Sequence, residues 1–274
     1  MELKDHSSDK GILKAAASKS KFELNRYEPS AGLAPYIEHF WTVRYDLTGQ
    51  PPFRQTILSF PSVNLSFEQE GGSFFTGVYG VPRTTYTRVI QNEGMVLGIK
   101  FRPGGFYPFW QQPVSLLTGR ICEASDLFGP VIQTLQEQIW QQDSGEQMAR
   151  LGERFLLERL PEPDDNAELT GRIIQLAINN REMTRVEEMA EQSGMSVRAL
   201  QRLFSRYVGV SPKWVIQRYR MQEAAELLEQ GGALDWASLS QQLGFYDQAH
   251  FIKTFKAMIG KSPDAYVRDI PPPA

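Results

Sequence analysis

The sequence predicts an α+β chain of two domains: a β-rich barrel or sandwich ending in a helix pair, then an all-α domain of seven helices with two helix-turn-helix units. Three observations carry this. Short runs rich in Val, Ile, Thr, Phe and Tyr, cut by Gly and Pro, fill residues 22 to 121. From Leu127 the apolar positions step by three and four. Beyond Glu168 a helix-turn-helix pattern occurs twice, about 50 residues apart.

In chain order, residues 1–20 have only weak periodicity and read as a mobile lead. Residues 21–160 form the first domain. Its strand signals are "YIEHFWTVRYDL", "FRQTILSFPSVNLSFE", "GSFFTGVYG" and "TTYTRVIQNEGMVLGIKFRPGG". Leu127, Val131, Leu135 and Ile139, joined by Phe128 and Ile132, line one helix face; after Ser144-Gly145, Met148, Leu151, Phe155 and Leu156 line another. Residues 161–167 are a Pro- and Asp-rich linker, and residues 168–270 form the second domain.

The second domain opens on "ELTGRIIQLAINN", apolar at Leu169, Ile173, Leu176 and Ala177. Thr184 and Glu187 have the spacing of a capping box. Ser196 caps the next helix, and Pro212 opens a longer one that stops at Gly231-Gly232. The repeat is seen by alignment. Ala190 and Gly194 precede Ser240 and Gly244 by 50 positions, whereas Leu200, Phe204, Gly209 and Ser211-Pro212 precede Phe251, Phe255, Gly260 and Ser262-Pro263 by 51. One residue is therefore added in the second turn. Each unit is a short helix, a Gly turn and a second helix.

On the second helix of the first unit, Leu200, Leu203, Phe204 and Tyr207 face inward. Arg198, Gln201, Arg202 and Arg206 face outward, the three Arg at i, i+4 and i+8. The matching outward positions of the second unit are Gln248, His250, Ile252 and Lys253. A charged stripe on one helix is by default a solvated face. Two stripes at equivalent positions of two repeated units carry more weight, because recognition helices read bases there. Arg matches guanine or phosphate, Gln matches adenine, and an exposed Ile can pack on a thymine methyl.

The motifs "MAEQSGMSVRALQRLF" and "LGFYDQAHFIKTFKAMIGKSPDAYV" resemble the DNA-binding domain of the AraC/XylS family of bacterial transcription regulators. Val267 stands where Arg is common and Met189 where Leu is usual; neither is a base-reading position. The resemblance implies promoter DNA and RNA polymerase as partners, activation as the mode, and base reading by Arg198, Gln201, Arg202, Gln248, His250, Ile252 and Lys253. Arg206 is assigned to phosphate. The stretch "GIKFRPGGFYPFWQQPVSLLTGRICEASDLFG" resembles a sensor-type domain of some regulators of this family. It implies a cupin-like β domain, an effector of small-molecule type and a homodimer. Phe101, Phe106, Tyr107 and Trp110 are the candidate ligand-binding residues, although such an aromatic cluster is more often simply core.

The chain has a net charge of −3, and from Glu168 onward 13 Lys and Arg stand against 12 Asp and Glu. Binding would then rest on local stripes rather than total charge. One cysteine and three histidines without ligand spacing argue against a disulfide framework, a metal site or an enzyme. No cofactor is expected. No long apolar run or signal-peptide pattern is present, which points to the cytoplasm and away from a membrane. Two readings of the first domain stay open: an effector sensor, or a dimerisation or protein-interaction module without a ligand.

Overall fold

A computed structural model describes residues 20–180, 182–229 and 235–270. The expected mobile lead and the Gly231-Gly232 stop lie outside these residues, apart from residue 20.

The first part is β-rich. Strands β1 (Glu23–Tyr27), β2 (Ile37–Leu47), β4 (Asn64–Glu70), β5 (Ser73–Tyr79), β7 (Asn92–Phe101) and β8 (Ile121–Glu123) form one antiparallel sheet in the order β1-β2-β7-β4-β5-β8. Strands β3 (Phe53–Ile57) and β6 (Tyr86–Ile90) pair separately. The small sheet is joined to the large one through polar groups. Arg88 pairs with Glu68 at 2.9 Å, and the Tyr79 and Tyr86 rings meet edge to face at 5.9 Å. Tyr79 and Ser66 both donate to the same Glu68 oxygen.

On one face of the large sheet, alternate residues Phe40, Leu65, Phe67, Leu97 and Ile99 are buried. Helix α4 (Gly145–Leu157) covers that face with Met148, Phe155 and Leu156. Close approach is possible because Gly152 has no side chain: a Cβ there would lie 3.1 Å from Ile99 Cδ1. Before α4 come α1 (Tyr107–Trp110), a 3-10 turn (Val114–Leu117), α2 (Ala124–Phe128) and α3 (Val131–Trp140). The apolar series from Leu127 to Ile139 is thus split, not one helix. Gly129 at φ 74° and Pro130 break it, and Val131 is exposed.

Seven helices follow: α5 (Asp165–Asn179), α6 (Val186–Gln192), α7 (Val197–Tyr207), α8 (Pro212–Glu229), α9 (Trp236–Gln242), α10 (Gln248–Ile259) and α11 (Pro263–Arg268). Two local expectations shift. Helix α5 begins before Glu168, because the Asp164 carboxylate accepts from the amides of Asn166 and Ala167. At α6 the capping carboxylate is Glu188, not Glu187; it accepts from the amides of Thr184 and Arg185. Elsewhere the expected caps form. Ser196 accepts from Ala199, Asp247 from His250 and Ser262 from Ala265.

The apolar core runs on without a break from the sheet into α5–α8, from Tyr27 to Ile216. A second core holds Met221, Leu228, Leu239, Phe251, Phe255, Ile259 and Tyr266, with Leu58 from the β region.

Candidate nucleic-acid interface

Helices α6 and α7 form the first helix-turn-helix unit, and α9 and α10 the second. Gly194 and Gly244 both take positive φ, 64° and 73°, at the turns. Each turn closes with the same hydrogen bond, from the third residue after the short helix back five positions. Met195 donates to the Ala190 carbonyl and Phe245 to the Ser240 carbonyl, both at 2.9 Å.

On α7, Leu200, Leu203, Phe204 and Tyr207 are buried, while Arg198, Gln201, Arg202 and Arg206 are exposed. On α10, Phe251, Phe255, Met258 and Ile259 are buried, while Gln248, His250 and Lys253 are exposed. Ile252 departs from the expectation of a solvated position. It is half-buried and packs on the second core, so only part of its side chain can face a partner. The His250 ring rests against Phe245 at 5.3 Å. Among the described residues, no hydrogen bond or ion pair ties down the side chains of Arg198, Gln201, Arg202, Gln248 or Lys253.

Arg206 differs from the rest of its stripe. Its Nε donates to the Tyr107 hydroxyl at 2.6 Å, its second nitrogen donates to the same oxygen, and its guanidinium lies 4.8 Å from the Tyr107 ring centre. This hydrogen bond raises the Arg206 pKa above its ordinary value. The group assigned to phosphate is thus held by the β-rich region. Beside it, Ser205 meets Ser115 at 3.3 Å, and Thr118 donates to the Gly209 carbonyl at 2.6 Å. Gly209 is required here: its φ is 92°, and a Cβ would lie 2.9 Å from Thr118 Oγ1 and 3.0 Å from the Val114 carbonyl. Tyr107, Gln111 and Pro113 face Arg202, Ser205 and Arg206 across an open groove of about 260 Å³.

Three of the four aromatic candidates for ligand binding form a packed cluster. Phe101 and Phe106 are fully buried and meet edge to face at 5.0 Å, and Trp110 is half-buried 6.0 Å from Phe106. Tyr107 turns the other way, onto Tyr207 at 4.3 Å and onto Arg206. Tyr207 in turn donates to Asp164 at 2.9 Å; burial and that carboxylate push its pKa up to about 12.

A residue that sequence reasoning passed over joins the two regions further along. Arg218, in the middle of α8, is fully buried. Its Nε donates to the Ser59 carbonyl at 2.9 Å, another nitrogen donates to Gln222, and its guanidinium lies 4.2 Å from the Phe60 ring centre. Burial pushes its pKa down to about 10, so it stays charged at neutral pH. Trp214 of the same helix donates to the Arg83 carbonyl at 3.1 Å.

Residues 189–269 match the model of a helix-turn-helix domain, and residues 25–123 match a domain of unknown function, DUF6597. A Haemophilus influenzae protein described as an uncharacterized HTH-type transcriptional regulator is 33% identical over 85 residues, 31% of this chain and 28% of that protein. The Msm operon regulatory protein of Streptococcus mutans is 30% identical over 125 residues, 45% of each chain. The chain therefore matches less than half the length of these relatives. The C-terminal domain of AraT, a response regulator from Geobacillus stearothermophilus, is 26% identical with a TM-score of 0.35, covering 38% of this chain and 88% of that one. The C-terminal part of the chain is a helix-turn-helix domain of the AraC type.

Proposed function

We propose that the chain is a sequence-specific DNA-binding transcription regulator whose two recognition helices, α7 and α10, read successive major grooves on one face of promoter DNA. One observation carries this reading. Two helices at equivalent places of a repeated unit present unengaged Arg, Gln and Lys side chains, while their apolar faces are buried in two separate cores. Major grooves recur roughly every 34 Å on one side of the duplex, so one chain reads an asymmetric site without a palindrome. Helix α8 sets the separation of the two readers. Arg198, Gln201 and Arg202 read one half-site; Gln248, His250, Lys253 and the exposed part of Ile252 read the other.

The β-rich region, on this reading, controls the first reader by direct contact. A small-molecule effector that displaces α1 moves Tyr107, and with it Arg206. Phe101 and Phe106 pack at the start of α1, against Trp110 at its end, which supports this route. Activation through RNA polymerase and assembly as a homodimer belong to the same proposal. Genome-fragment selection with the full chain, at a stated salt concentration, tests it. Enrichment of one two-part site about two helical turns long is the expected result. Enrichment of single half-sites only would overturn the paired-reader geometry. A thermal-shift screen of metabolites tests the effector, since a ligand far above its dissociation constant raises the midpoint. No shift across a broad set would favour an interaction module without a ligand.

A further inference from the structure

The two units differ by one inserted residue, and the structure identifies it. Met195 and Phe245 are equivalent, because each follows the positive-φ Gly and donates to the carbonyl five positions back. Ser196 and Asp247 are equivalent, because each caps its second helix from the side chain. Nothing separates Met195 from Ser196, whereas Tyr246 separates Phe245 from Asp247. Tyr246 therefore has no counterpart in the first unit.

Its setting is unusual for an aromatic residue. Tyr246 is 94% exposed, while its neighbour Phe245 packs against both His250 and Phe251. No partner holds its hydroxyl among the described residues. An aromatic ring with a free hydroxyl thus projects into solvent immediately before the second recognition helix, beside Gln248 and His250. Tyr hydroxyls are among the neutral donors that proteins use on DNA phosphates, and such contacts set register without reading sequence.

We propose that Tyr246 is a further DNA contact, its hydroxyl donating to a backbone phosphate at the edge of the half-site read by α10. This rests on the DNA-binding reading above. It makes the second unit's grip on the backbone different from the first unit's.

The test is titration of the selected site with the full chain and with Tyr246→Phe and Tyr246→Ala. Tyr246→Phe is expected to bind about tenfold more weakly, the loss of one hydrogen bond to a charged acceptor. Three further readouts separate this from structural damage. The thermal midpoint stays at the parent value, because an exposed ring supports no core. The ranking of mutated sites stays the same, because a phosphate contact carries no sequence information. The dependence of affinity on salt keeps its slope, because a neutral side chain releases no counterion, whereas Lys253→Gln lowers that slope by about 1 if Lys253 touches phosphate. Equal binding by the parent, Tyr246→Phe and Tyr246→Ala would overturn the proposal. So would a changed preference at one base pair, which would make Tyr246 a base reader instead. Failure of the parent chain to bind any fragment would sink the underlying reading and this inference with it, and is distinguishable from both.

Discussion

The two helix-turn-helix units share a design but not a setting. The first is built into the rest of the molecule: its core is continuous with that of the β sheet, and the end of its second helix is tied down through Arg206, Ser205 and Gly209. The second keeps its own core, to which, among the described residues, the β region adds Leu58 alone. Among the described residues, the side chains proposed to read DNA from it have no such ties. The same local architecture thus yields one helix-turn-helix unit whose position depends on the β-rich region and one that is set mainly by itself. Helix α8 is where the two meet, and its buried Arg218 and Arg220 make it unlike a surface helix.

The largest effects should come from the cores. Phe255→Ala removes a fully buried ring and should cost about 3–5 kcal/mol. If the second unit is a separate core, hydrogen exchange should accelerate across residues 236–268 while the β sheet stays protected. Phe204→Ala, of similar cost, should spread its effect to the 3-10 turn and to α1. Identical exchange patterns for the two variants would erase the distinction between the units.

Arg218 comes next. Arg218→Ala leaves a void beside Phe60 and strips the Ser59 carbonyl of its donor, at a cost of about 2–5 kcal/mol. Arg218→Met fills the void and removes a charge that no carboxylate pairs at close range, so it should fall within about 1.5 kcal/mol of the parent. Denaturant midpoints of the two variants decide this. Equal destabilisation by both would mean that the guanidinium's charge and hydrogen bonds, rather than its volume, hold the β region to α8.

Arg202→Ala is smaller and is read on DNA. It should lower affinity by about 1–3 kcal/mol and relax preference at one base pair. An unchanged site preference would remove Arg202 from the first reader. Gln111 and Pro113 face it across the groove, so the measurement also reports whether the β region leaves this side chain free.

Much of this was legible in the sequence wherever the code is local. Ser196, Asp247 and Ser262 act through the next three residues, and Gly194, Gly244 and Gly260 act through their own backbone, so spacing alone placed the units. The one-residue insertion was countable, although which residue it was depended on matching hydrogen bonds. Partners distant in sequence left no such mark. Arg198, Arg202 and Arg206 are indistinguishable as a stripe at intervals of four; only the fold brings Tyr107, 99 positions away, to Arg206 alone. Arg218 gave no signal at all, because an isolated Arg on a helix is normally solvated. Ile252 read as exposed from its place outside the apolar stripe, yet it packs on the second core. The aromatic run from Phe101 to Trp110 was ambiguous between core and pocket for a physical reason: both call for the same side chains.

The smallest effect is the most informative about the difference between the units. Tyr107→Phe keeps the ring in place against Tyr207 and removes only the oxygen that accepts from Arg206. Arg206 is then free to find phosphate. If the tie restrains the first reader, Tyr107→Phe should raise affinity for the whole site severalfold and steepen its salt dependence, since one more cation reaches the backbone. Binding to the half-site of α10 alone should not change. Arg206→Ala supplies the opposing arm: it removes the tie and the phosphate contact together, so it should not reproduce the gain. A fall in affinity for Tyr107→Phe would show that the tie positions α7 for DNA instead of withholding it, and would turn the first unit from a restrained reader into a braced one.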